Sequence, residues 1–221
     1  MGGFQIPGPL CGTHPDTIDK GTNALWRMPE PGPVCALPKN PERPSHRVSV
    51  AGGFAVAGLY LGMEGIALLK SVEELRLKPY DDQTGQDATT WSAGATIGYG
   101  HLIAQGDWGK YKGGLTETEA DQLFTTDLAP FESVVRDSVA IGLQQYEFDA
   151  LVILAFNIGA KAFKGSSVVK LVNNPAAPTG YSGLEAAWKA WNKSQGQVMK
   201  GLDNRRQCEW RIYTTATYAR W

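Results

Sequence analysis

Two acidic residues nine positions apart, Glu73 and Asp82, and a threonine in a glycine-rich run, Thr96, are the residues of this 221-residue chain whose types and spacing could do chemistry. The first two bound the stretch EELRLKPYDD, residues 73–82, and the third lies in ATIGYGH, residues 95–101. A carboxyl group that keeps its proton can protonate a leaving oxygen, a second carboxylate can activate water, and a hydroxyl can hold that water in line. Together they are the equipment for splitting a glycosidic bond. The chain has no Gly-x-Ser-x-Gly elbow, phosphate-binding glycine loop or His-Glu-x-x-His, and its three histidines are scattered. Neither a metal nor a cofactor is therefore expected.

The elements must place these groups correctly. Helical periodicity from about Gly58 puts Ile66, Leu69, Val72 and Glu73 on one face, and Lys70, Glu74 and Lys78 on another. Glu73 is then the glutamate that loses water, which raises its pKa and suits it to be the acid, whereas Glu74 reads as a solvated charge flanked by lysines. Pro79 is expected to end this helix, and short strands at 89–91 and 95–97 to form an irregular hairpin sheet. Thr116 with Glu119 has capping-box spacing and heads a helix to about Asp127, with Pro130 opening the next. Residues 145–157 carry a wide apolar stripe and read as a central helix, followed by helices near 166–173, 183–193 and 203–216, the last after a break at Gly201. The fold class is α+β, a small irregular β-sheet lobe and a larger helical lobe with a catalytic cleft between them.

Residues 1–47 hold most of the thirteen prolines and read as an arm, distinct from a catalytic domain over 48–221. In the arm, PGPLC ending at Cys11 recurs as PGPVC ending at Cys35, a pair that a disulfide could join, while Cys208 falls in a helical stretch as a small buried hydrophobe. A net charge of −1 provides no basic field for nucleic acid. The N-terminus lacks the basic and apolar regions of a cleavable signal peptide, and five glycines and Glu64 interrupt the apolar run from Val48 to Leu69, so no stable membrane insertion is expected.

The segment from Glu73 to His101 resembles the phage-type lysozymes of glycoside hydrolase family 24, and the likeness extends over roughly residues 60–217. It implies a muramidase that cleaves the β-1,4 bond between N-acetylmuramic acid and N-acetylglucosamine in bacterial peptidoglycan. In that likeness Glu73 is the acid, Asp82 the second carboxylate and Thr96 the residue beside the attacking water, with inversion if the carboxyls are about 6.5–9.5 Å apart. Asn157 matches a cleft amide, and one of Arg205 and Arg206 pairs near the acid. Between Asp82 and Thr96 this chain is about eight residues longer than the family pattern. The extra material, residues 86–94, contains Trp91, a candidate groove wall, and Asp87, a candidate substitute carboxylate. His101 is expected to bond locally. The resemblance implies a protein made in the bacterial cytoplasm that acts in the periplasm or cell wall, hydrolysing peptidoglycan in host lysis. Other settings for the same fold are a secreted antibacterial toxin with an immunity protein as partner, an inactive wall-binding protein, and a lytic transglycosylase.

Overall fold

The computed structural model describes residues 58–221. The expectations for the arm, the Cys11–Cys35 pair included, lie outside those residues.

Helix α1 (Met63–Val72) turns Leu68, Leu69 and Val72 inward and ends at Glu73, whose backbone is extended. The helix was expected to run on to Pro79, but residues 76–81 form strand β1 (Arg76–Asp81) instead. The two readings shared the same residues. A proline forces the residue before it toward extended geometry, which ends a helix and equally favours a strand. Pro79 lacks an N–H, and it is tolerated because β1 is an edge strand and its register slips between Arg76 and Tyr80. As a result Lys70 does not pair with Glu74; it reaches Asp121 at 2.6 Å.

Strand β1 pairs antiparallel with β2 (Ala95–Gly98), which pairs with β3 (His101–Leu102). The expected strand at 89–91 is absent; that segment belongs to a loop joined to β1 by one bridge between Tyr80 and Asp87. A short helix α2 (Trp108–Tyr111) leads to α3 (Glu117–Ser138). Thr116 and Glu119 close the capping box as expected, the Thr116 N–H donating to Glu119 Oε2 at 2.8 Å. Pro130 does not start a new helix but sits inside α3. The buried stripe of Phe124, Leu128, Val134 and Val135 spans it, so packing against the core outweighs the one backbone bond the proline removes.

Helix α4 (Gln145–Ile158) is buried on nearly every side and packs against α1, α3, α5 (Ala160–Gly165) and α8 (Lys200–Thr215). Gly159, with φ 90°, makes the turn from α4 into α5. Then come α6 (Ser167–Asn173) and α7 (Leu184–Lys189). α7 stops short of the expected 193, where a hairpin of β4 (Lys193–Ser194) and β5 (Gln197–Val198) intervenes, turned by Gln195 and Gly196 at positive φ. Gly201 is inside α8 rather than a break before it.

Among the described residues there are two apolar clusters. The larger surrounds α4; the smaller holds Ala95, Ile97, Ile103 and Tyr111, with Trp91, Trp108, Leu115 and Leu123 against it. α3 belongs to both, because Leu123 faces the sheet cluster and Phe124 the helical one. It is the beam between the two lobes. No described helix is long and apolar enough to cross a membrane.

Candidate active site

Glu73 stands where α1 ends, so its side chain leaves the helical lobe at the start of the segment leading to β1. Only 9% of that side chain is exposed, and Arg205 of α8, 3% exposed, brings Nη1 to 3.6 Å from Oε1. Burial raises the Glu73 pKa, and the Arg205 charge and hydrogen bond oppose this only in part. Glu74, the next residue, is exposed. The facial distinction between the two glutamates therefore holds, although a helix end rather than a helix stripe produces it.

The other carboxylates separate by their partners. Asp81 accepts from the N–H groups of Gln83 (3.1 Å) and Thr84 (3.0 Å) and from the hydroxyls of Thr84 (3.1 Å) and Ser92 (3.0 Å). These donors, led by the Thr84 N–H, lower its pKa and commit it to the turn after β1. Asp87 is 66% exposed and pairs with Arg76 at 3.0 Å. Asp82 is different. Its Oδ1 is buried and finds no hydrogen-bond partner among the described residues, and burial, then the Asp81 charge, raises its pKa.

Gly94 ties Asp82 to Thr96. Its carbonyl accepts the Asp82 N–H at 3.0 Å and the Thr96 hydroxyl at 3.0 Å. A Cβ on Gly94 would collide with Asp82 Oδ1. Thr96 is opposite Tyr80 in the β1–β2 register and is 2% exposed. The Tyr80 phenol is pushed up by burial and, against the opposing Arg76, by the charges of Asp82, Glu74 and Glu73. Both candidate carboxyls, and Glu74 with them, thus lie near enough to bear on one phenol.

Of the remaining candidates, Arg205 is the arginine beside Glu73. Its Nε also donates to Glu209 at 3.0 Å. Arg206 points elsewhere: Nη2 donates to Glu209 at 2.9 Å and to Asn157 Oδ1 at 2.6 Å, and full burial pulls its pKa down to about 10. Asn157 is therefore held from behind through its oxygen rather than capping α4. Trp91 donates its indole N–H to the Ile103 carbonyl at 2.8 Å and packs on the sheet cluster, so it anchors the extra loop while remaining half-exposed. His101 bonds locally, with Nδ1 3.0 Å from both oxygens of Asp127.

Sequence reasoning gave no role to Glu209, Gly94 or Tyr80. Glu209 lies four residues after Arg205, a helical pairing distance that could have revealed it. Gly94 had no signal, because its role depends on what faces it across the strands. Among the described residues no group of acidic, histidine or cysteine side chains could hold a metal ion.

The phage lysozyme family profile matches residues 70–209. The chain is 34% identical over 160 residues to an endolysin of Bacillus phage PZA, a match covering 72% of this chain and 57% of that protein. To an endolysin of Acyrthosiphon pisum secondary endosymbiont phage 1 it is 30% identical over 164 residues, covering 72% of this chain and 100% of the relative. Among solved structures, the endolysin from Escherichia coli O157:H7 phage FAHEc1 superposes with a TM-score of 0.57 at 28% identity, covering 74% of this chain and 98% of that one. The muramidase domain of SpmX from Asticaccaulis excentricus superposes at 0.55 and 30% identity, covering 71% and 99%. With the profile spanning both lobes and the residues around Glu73, Asp82 and Thr96, the chain belongs to the phage lysozyme family.

Proposed function

We propose that the site hydrolyses the β-1,4 bond between N-acetylmuramic acid and N-acetylglucosamine in peptidoglycan, with Glu73 as general acid, Asp82 as base and Thr96 as the residue that holds the water. Two observations carry this reading: Glu73 is buried with a raised proton affinity, and Asp82 keeps a buried, unpartnered oxygen while its N–H shares the Gly94 carbonyl with the Thr96 hydroxyl. A buried carboxyl that keeps its proton can give it to the glycosidic oxygen as the bond breaks. The raised proton affinity of Asp82 makes it a better base once it is ionised.

The Thr96 hydroxyl gives its own hydrogen to the Gly94 carbonyl. Its lone pairs are left to accept one hydrogen of the water while Asp82 takes the other, and the water's lone pair faces the anomeric carbon. Attack from the side opposite the leaving oxygen inverts the configuration. With its oxygen held by Arg206, Asn157 offers its amide N–H groups to a sugar acetamido or hydroxyl oxygen. Trp91 offers the exposed part of its ring to the glycan.

The likeness to endolysins supports host-cell lysis as the setting, with synthesis in the bacterial cytoplasm and action at the wall. The test is digestion of purified peptidoglycan followed by mass analysis of the fragments and NMR of the new anomeric centre. Reducing muramic acid ends released first as the α anomer are expected. Anhydro-muramic ends would identify a transglycosylase, and retention of configuration would remove Asp82 from the role of base.

A further inference from the structure

We propose that Trp221 is a positioning residue for this site, its indole clamping the guanidinium of Arg205 so that the cation is fixed beside Glu73; the inference rests on Glu73 being the acid. α8 ends at Thr215, and Ala216, in the left-handed conformation at φ 53°, turns the chain back. The returning segment is pinned twice. The Tyr218 hydroxyl donates to Asp149 Oδ2 of α4 at 2.6 Å, and the Arg220 carbonyl lies 4.0 Å from Cys208 Sγ of α8. These contacts deliver the Trp221 ring to 4.5 Å from Arg205 Cζ.

Arg205 needs such a hold. Its Nε is bonded to Glu209, but Nη1 approaches Glu73 only to 3.6 Å, longer than a firm hydrogen bond, and Nη2 is buried without a hydrogen-bond partner. One bond at Nε does not by itself set the angle of the guanidinium plane to Glu73. A flat aromatic face against the cation sets that angle and excludes water from the pair. The same contact keeps the opposing charge at a set distance from the acid, where a shift of about 1 Å can cost a site 100-fold.

The experiment measures kcat and KM on soluble, uncrosslinked glycan strands bearing stem peptides, with thermal unfolding in parallel, for the full chain and for W221A, W221F, R205M, R205M/W221A and E73Q. W221A is expected to lose about 10-fold in kcat at unchanged KM, and W221F to keep at least half of the wild-type kcat. In the R205M background W221A should cost no further activity, because nothing remains to be clamped. The inference is overturned if W221A keeps the wild-type kcat, if it loses the same factor with and without Arg205, or if W221F is as impaired as W221A. E73Q separates the two levels. An active E73Q sinks the assignment of the acid and the clamp with it, whereas an inactive E73Q beside an unimpaired W221A sinks the clamp alone.

Discussion

Replacing Glu73 by glutamine should make the protein more stable at neutral pH while disabling it. In the folded state burial holds the Glu73 pKa above its ordinary 4.5, despite the opposing Arg205. The folded chain therefore binds a proton more tightly than the unfolded one. Stability is full below about pH 4.5, falls as pH rises through the folded-state pKa, and stays reduced above it. Glutamine has no such proton to lose, and Arg205 remains paired with Glu209 in the variant. Each tenfold rise in proton affinity is worth about 1.4 kcal/mol, so E73Q should be the more stable of the two at pH 7. For a domain of this size each gain of about 1 kcal/mol raises Tm by roughly 2–4 °C. Loss of a general acid should cost about 10²–10⁴-fold in rate, or roughly 3–5 kcal/mol of barrier. Thermal unfolding of both proteins from pH 3 to 8, with turbidity loss of one peptidoglycan preparation, checks both effects. The Tm difference should vanish below pH 4.5. A variant less stable than the parent at pH 7 would mean that attraction to Arg205 outweighs burial and that Glu73 rests ionised; a variant lysing at more than a tenth of the parent rate would remove it as the acid.

Asp82→Asn should abolish lysis, whereas Asp81→Asn and Asp87→Asn should retain most of it, since those carboxylates are committed to the turn donors and to Arg76; comparison of the three rates decides, and loss confined to Asp87→Asn would show that the loop has supplied the second carboxylate. Gly94→Ala should cut activity at least 10-fold by forcing Asp82 aside, and an unimpaired variant would mean that Asp82 works from another position. Deleting residues 1–47 should leave a folded, active domain, because the described residues 58–221 hold both apolar clusters and every candidate site residue; an insoluble or unfolded product would show that the arm is part of the fold.

The strongest sequence signals were local ones. The capping box at Thr116, the wide apolar stripe of α4 and the division between Glu73 and Glu74 depend on neighbours within one or two turns, and all three appear in the structure. Misreadings arose where one pattern suits two conformations or where packing overrides a local rule. The alternation LRLKP was absorbed into a helix because Pro79 ends helices and edge strands alike tolerate it. Pro130 was given its usual place at a helix start, but the buried face of α3 runs across it. The hairpin β4–β5 falls, apart from Lys193, in the gap between the expected helices at 183–193 and 203–216, and with two residues on each side it is too short to show a strand alternation.

The candidate site residues stand out in the sequence because the Glu-to-Asp offset is carried by contiguous chain; their partners do not, because those come from afar. Nothing in the spacing selects Arg205 over Arg206, since adjacent helical residues differ only in direction, and the direction is decided by how α8 packs on α4. The extra loop makes the same point. It begins after Asp82, so it leaves the offset from Glu73 intact, and it is stitched to the sheet on its way round: the Ala88 N–H donates to the Pro79 carbonyl at 2.9 Å, Arg76 pairs with Asp87, and Trp91 bonds Ile103. The chain then returns with Gly94 opposite Asp82, their backbone bond formed at 3.0 Å. Length between Asp82 and Thr96 can extend outward from the sheet as long as that return point is kept, whereas a side chain on Gly94 would run into Asp82 itself.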